Sequence, residues 1–213
     1  MQDFINTTLL ACAFLALFGV AEWLYHVGKV KVELTRKLVH LGTGVLTLLF
    51  PILLKNHWLV LLLCASFALI LIISLRFKLL PSINAIDRVS YGSLLYPLAV
   101  YTCYLAYFFK EQQLLLFYLP VLTLAICDPL AALFGKRFPY GKYKIGVAHK
   151  TIVGSSAFLC SSLVLNICLC GQASLFFIVF IAFLATLIEA LSSKGIDNLT
   201  IPWSVLGCLL YLQ

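Results

Sequence analysis

The stretch DPLAALFGKRFPYGKYKIGVAHKTIVGSS, residues 128–156, places one carboxylate, Asp128, ahead of the cations Lys136, Arg137, Lys142, Lys144 and Lys150, with Gly135 and Gly141 among them. Lys150-Thr151-Ile152-Val153-Gly154-Ser155-Ser156 opens an apolar run. A lysine, hydroxyls and a glycine thus stand where a helix has unpaired amides and the positive end of its dipole, a combination that binds anions and phosphate above all. A divalent cation on Asp128 beside such a helix start is the arrangement phosphoryl transfer needs, because its catalysis rests on neutralising charge and aligning groups. The pattern is not a Walker loop, since Gly141 and Gly146 are followed by Val147-Ala148-His149 before Lys150-Thr151 and no strand precedes them. Two plainer readings stand beside this one. Asp128 pairs with a loop lysine across a proline-kinked helix, or the basic loop holds lipid headgroups.

The elements that must position these residues follow from composition. The 213-residue chain is 63% hydrophobic and 11% charged, with a mean hydropathy of +1.07. An average soluble domain is roughly 25% charged, so the composition predicts an all-α, polytopic integral membrane protein and excludes a water-soluble one. Apolar runs close to the roughly 20 residues that cross a bilayer cover residues 4–25, 37–54, 58–75, 92–109, 113–134, 151–170 and 174–191. A last run, 199–212, is short for a span; with it the expectation is seven to eight transmembrane helices. No basic stretch precedes the first run and no small-residue cleavage site follows it, so a retained helix is expected there. The eight cysteines lie mostly within apolar runs without CxxC spacing, which predicts small buried residues rather than a zinc site or disulfides.

Charge sets the orientation. Lys29, Lys31, Arg36, Lys37, Arg76, Lys78, Arg88, Lys136, Arg137, Lys142, Lys144, Lys150 and Lys194 fall on one set of alternating loops, and only Lys55 and Lys110 on the other. Lys and Arg in short loops collect on the cytoplasmic side, so the N-terminus is expected outside. The net charge of +7 then belongs to one membrane face. Such a face suits anionic lipid and an anionic substrate, and no nucleic-acid partner is expected.

Glu22, Asp128 and Glu189 interrupt apolar runs near their cytoplasmic ends, and Asp197 follows the seventh run beside Asn198. An ionised carboxylate at mid-membrane costs roughly 2.5–3.5 kcal/mol, so each must face a partner, an ion or a polar cavity. Asp128 precedes Gly135 by seven residues, about 10 Å at the helical rise, submerged but within reach of the surface. Pro129 follows it, which predicts a helix break at Asp128 and polar backbone lining a cavity.

The segments DPLAALFGKRFPYGKYK, KTIVGSS and EALSSKGIDNLTIP, with ELTRKLVHLGTG and DRVSYGSLLYP upstream, resemble the polyprenol kinase group that includes dolichol, phytol and farnesol kinases and a CTP-dependent diacylglycerol kinase. The likeness is strongest over residues 33–205 and implies a single lipid-kinase-like domain over residues 1–213. It implies transfer of the terminal phosphate, usually of CTP, to the hydroxyl of a long-chain lipid alcohol such as a polyprenol, dolichol, phytol or diacylglycerol, with Mg²⁺. It also implies that the nucleotide and metal region runs from Asp128 through Lys150 to Gly154. One departure is Val153, where the group commonly carries an acidic residue between the threonine and the glycine. Phosphatidate cytidylyltransferases share the middle pattern, but their C-terminal signature rich in Lys-Asp and His-Gly-Gly is missing, and the ending DNLTIP favours the kinase branch.

On this reading Asp128, Asp197 and Glu189 are the Mg²⁺ ligands, Asp197 ahead of Glu189 as the contact opposite Asp128. Lys150, Thr151, Gly154 and Ser155 take the phosphates, with Gly135, and Lys136, Arg137, Lys142 and Lys144 steer the anionic donor, CTP or ATP. The turn Gly195-Ile196-Asp197-Asn198 is alternatively a cap for the last helix. His40 follows Arg36 by four residues, hence on the same helical face, and is a candidate general base toward the lipid hydroxyl or a phosphate contact; a hydrogen-bonded packing histidine is the alternative. Arg88, with Ser90 and Tyr91, clamps nucleotide or lipid, or simply faces lipid phosphate. Glu22 reads as an intramembrane hydrogen-bond partner. The rival enzyme is a nucleotidyltransferase that attacks the α-phosphate and releases pyrophosphate. The non-enzyme rival is a transporter of an anionic solute, for which inverted repeats are expected and not found. The sequence specifies no oligomeric state.

Overall fold

The computed structural model describes residues 1–85 and 90–212. The chain divides into two compact units, Met1–Val89 and Ser90–Gln213.

The first unit is built from α1 (Gln2–His26), α2 (Val32–Thr47), α3 (Phe50–Leu53), α4 (His57–Phe77) and α5 (Pro81–Asn84). The second expected run starts earlier than its apolar residues, at Val32, and turns at Leu48–Leu49 before α3. The Leu53 carbonyl freed near this interruption accepts from Asn6 Nδ2 at 2.8 Å, so α1 satisfies backbone that lipid would leave unpaired. Phe14 and Phe18 of α1 pack on Phe67 of α4, with ring centroids 5.0 and 5.8 Å apart, and Phe14 also meets Phe50. Gly42 of α2 gives room to Leu17: a Cβ there would lie 2.8 Å from the leucine methyls. Glu22 meets the expectation of an internal partner. Its Oε1 accepts from Ser82 N at 3.0 Å and Ser82 Oγ at 2.5 Å, its Oε2 lies 3.1 Å from His26 Nε2, and the Ser82 carbonyl accepts from Thr35 Oγ1 at 2.6 Å. One half-buried carboxylate and one buried serine thereby tie α1, α2 and α5 together.

The second unit holds α6 (Gly92–Phe109), α7 (Leu115–Leu122), a π-helical turn (Thr123–Cys127), α8 (Asp128–Arg137), the strands β1 (Lys142–Ile145) and β2 (Ala148–Thr151), then α9 (Ile152–Leu169), α10 (Leu175–Leu191) and α11 (Asp197–Leu212). Among the described residues six helical stretches are long and apolar enough to cross a membrane: Gln2–His26, Val32–Leu53, His57–Phe77, Gly92–Phe109, Leu115–Arg137 and Ile152–Leu169. The chain is an all-α, multi-pass membrane protein. Leu175–Leu191, with 17 residues, and α11, with 16, correspond to the seventh and eighth expected runs but are shorter than these six stretches. α10 packs on α9 and α11, and α11 packs on α6 and α7.

Two expectations about local structure are corrected. The chain does not break at Asp128: Leu115–Arg137 is helical throughout, and Asp128 itself has helical angles. Proline lacks an amide and its ring crowds the carbonyl four residues back, here Ala125. The π-turn over Thr123–Cys127 widens the helix at that place, absorbing both defects without opening the backbone. The basic segment after α8 is not an irregular loop either. It is an antiparallel hairpin in register Lys142↔Thr151, Tyr143↔Lys150, Lys144↔His149 and Ile145↔Ala148. Gly146 has φ +55° and opens the two-residue turn, as type II′ geometry requires.

Candidate active site

Hairpin register sorts the cations. Side chains alternate faces along a strand and direct cross-strand partners share one, so Tyr143, Ile145, Ala148 and Lys150 form one face and Lys142, Lys144, His149 and Thr151 the other. The first four are half-buried, whereas Lys142, Lys144 and His149 are exposed, as are Lys136 and Arg137 at the end of α8. The hairpin is fastened at its base by the Ile152 amide, which donates to the Gly141 carbonyl at 3.0 Å. Gly141 has φ +64°, and a Cβ there would fall 2.6 Å from Ile152 Cδ1. Both facts explain why glycine stands at that corner.

At the start of α9 Thr151 is the N-cap: its Oγ1 accepts from Gly154 N at 3.0 Å. α8 lies against this first turn. A Cβ on Gly135 would come within 2.8 Å of Thr151 Oγ1, and one on Gly154 within 2.9 Å of the Ala131 carbonyl oxygen. The two glycines expected to admit phosphate therefore serve first to let two backbones touch, which sets the end of α8 beside the start of α9.

Lys150 points inward. Its Nζ lies 2.6 Å from Glu189 Oε1 and also donates to the Glu189 main-chain carbonyl, and the two side chains are only 14% and 8% exposed. Ser155 Oγ lies 3.5 Å from Glu189 Oε2 and 2.7 Å from Tyr143 OH. Glu189, expected as a metal ligand, thus stands as the counter-ion of the lysine expected to bind phosphate. Burial of the pair is tolerable because each charge is matched and hydrogen-bonded. Tyr143 is the member that sequence reasoning missed. The signal was the alternation of the segment Lys142-Tyr143-Lys144-Ile145, charged and apolar by turns, flanked by Gly141 and Gly146.

Asp128 is half-buried at the first turn of α8. Asp197 opens α11, and its Oδ1 accepts from Asn198 N at 3.1 Å. The turn before it docks on the start of α6: Tyr91 N donates to the Lys194 carbonyl at 2.8 Å. A Cβ on Gly92 would lie 2.6 Å from Asn198 Nδ2, and Gly195 takes φ +82°. Among the described residues no three His, Cys, Asp or Glu side chains gather to hold a metal ion. Nucleotide-bound magnesium takes one or two carboxylates and completes its shell with phosphate oxygens and water. Glu189 has both oxygens engaged within the protein.

Arg36 and His40 lie half-buried on α2 in the first unit. Arg88 lies outside the described residues, and Ser90 and Tyr91 stand at the entrance to α6.

Over 200 residues the chain is 29% identical to a phytol kinase from Synechocystis sp., an alignment that covers 91% of this chain and 85% of that protein. No family model matches the chain, and no solved structure does.

Proposed function

We propose that this chain is a membrane-embedded kinase that transfers the γ-phosphate of a nucleoside triphosphate, CTP ahead of ATP, to the hydroxyl of a long-chain lipid alcohol of the phytol, polyprenol, dolichol or diacylglycerol class. The similarity to a phytol kinase across both compact units carries this reading. Physical chemistry supports it, because a lipid alcohol stays in the bilayer while its hydroxyl must meet a water-soluble donor. The α8–hairpin–α9 assembly joins a helix long enough to cross a membrane to an exposed basic surface. Lys142, Lys144, Lys136 and Arg137 would draw the donor in, and Lys150, Ser155 and the first turn of α9 would receive its phosphates. Mg²⁺, when bound with the nucleotide on Asp128 and Asp197, would neutralise the phosphate charge that opposes attack by the alcohol. From the sequence pattern, Arg36 and Arg88 would contact phosphate, and His40 would take the proton of the lipid hydroxyl. The basic loops, and with them the chemistry, would face the cytoplasm.

The decisive experiment supplies purified protein with Mg²⁺, labelled CTP or ATP, and a panel of prenols and diacylglycerol. A phosphorylated lipid with nucleoside diphosphate as co-product meets the proposal. Pyrophosphate release from CTP and a phosphatidate would replace it with nucleotidyl transfer, and absence of any lipid product across the panel would refute the kinase.

A further inference from the structure

The polar groups on the inner face of the hairpin begin and end a chain of contacts through the neighbouring helices. Lys150 binds Glu189, Glu189 Oε2 faces Ser155, Ser155 meets Tyr143, and Tyr143 is the cross-strand partner of Lys150. Donor bookkeeping fixes its direction. A carboxylate only accepts, so Ser155 donates to Glu189 Oε2, and the 2.7 Å contact is then Tyr143 O–H donating to Ser155 Oγ. Glu189 occupies two of the three ammonium protons of Lys150, through Oε1 and through its main-chain carbonyl. The joints are unequal. Lys150–Glu189 at 2.6 Å and Tyr143–Ser155 at 2.7 Å are tight, while Ser155–Glu189 at 3.5 Å is long.

We propose that Tyr143 is a positioning residue for phosphate recognition: it anchors Ser155 so that the serine hydroxyl can swing from Glu189 to a phosphate oxygen of the nucleotide donor, beside the remaining ammonium proton of Lys150. The long joint is the one that costs least to open, and after it opens Tyr143 still holds Ser155 in place. Glu189 keeps Lys150 aligned but with its charge matched, so the site recognises phosphate through directed donors rather than through free positive charge. The exposed Lys142 and Lys144, on the opposite face, supply the long-range attraction that this neutral pair cannot. The proposal rests on the nucleotide-donor reading above and adds to it a residue that neither the sequence patterns nor the similarity to phytol kinase assigns.

The test is equilibrium binding of the β,γ-methylene analogue of CTP to the full-length protein in detergent, with donor and acceptor KM measured separately. Tyr143→Phe removes only the hydroxyl and keeps the ring. It is expected to weaken analogue binding and raise donor KM by about three- to tenfold, the size of one hydrogen bond, while leaving acceptor KM and the thermal midpoint unchanged. Ser155→Ala is expected to do the same, and the double variant no worse than the weaker single one. Wild-type affinity in Tyr143→Phe, or independent losses that add in the double variant, would overturn the proposal and leave the kinase reading standing. A wild-type protein that binds neither this analogue nor its ATP counterpart at millimolar concentration takes down both. Should Tyr143→Phe fold poorly, the donor-to-acceptor KM split in Ser155→Ala decides alone.

Discussion

Tyr143 and Lys150 stand directly opposite each other in the hairpin, and their side chains end on two residues of neighbouring helices that face each other, Tyr143 on Ser155 and Lys150 on Glu189. Five cations that look alike in sequence therefore have two different jobs. Lys150 is held in a matched pair at the start of α9, and the other four are exposed.

The pair makes the first prediction. Lys150→Ala and Glu189→Ala should each destabilise the fold by roughly 3–5 kcal/mol, because either leaves a buried charge without its partner. The double variant should recover a large part of that loss while remaining inactive. Thermal unfolding in detergent measures the cycle, and losses that simply add would show that the two residues are not coupled.

Helix contact makes the second. Gly154→Ala would drive a methyl to 2.9 Å from the Ala131 carbonyl, and neither backbone can yield cheaply. A loss of about 1–3 kcal/mol is expected, as for overpacking elsewhere. Gly19→Ala and Gly207→Ala meet nothing within 4 Å and should be neutral or slightly stabilising. Equal effects at all three positions would mean that the α8–α9 contact is not tight.

For the carboxylates, substitution by asparagine separates charge from hydrogen bonding. Asp197→Asn keeps an acceptor for the Asn198 amide, so stability should hold. Metal-dependent transfer should fall if the residue binds Mg²⁺, and should persist if its work is only to cap α11. Asp128→Asn should fold and lose transfer, and normal turnover at saturating Mg²⁺ would remove Asp128 from the metal site.

Electrostatic range distinguishes the two faces of the hairpin. Lys142→Ala should slow nucleotide association at low salt and approach wild type as ionic strength rises, since a screened steering charge acts mainly on the on-rate. Lys150→Ala should lose affinity at every salt concentration. Stopped-flow binding at two ionic strengths makes the comparison. If salt abolishes both differences, the hairpin is a diffuse basic patch.

Orientation can be read by accessibility. Cysteines placed at Lys78 and Lys142 should react with an impermeant reagent only from the cytoplasm, and one at Asn56 only from outside. Labelling of position 142 from outside would invert the topology.

Composition and the 13-to-2 sorting of Lys and Arg were enough to predict a polytopic α-helical protein with one basic face, because bilayer thickness and the cost of unpaired backbone leave few alternatives. The helix bounds at Gly92–Phe109 and Ile152–Leu169 fall within a residue of the expected runs, since apolar length is a local property. The partners of Glu22 were not legible: that it needed one follows from its depth, but Ser82 lies 60 residues away. Pro129 announced a defect in the helix, yet only the surrounding packing determined that a π-turn would absorb it. Likewise the sequence places Lys150 at a helix start and Glu189 near the end of another. Their meeting depends on α9 and α10 packing side by side and on a hairpin register that turns Lys150 inward and Lys142 out. Shifting that register by one residue would exchange the two faces, which is why no count of charges along the chain could assign them.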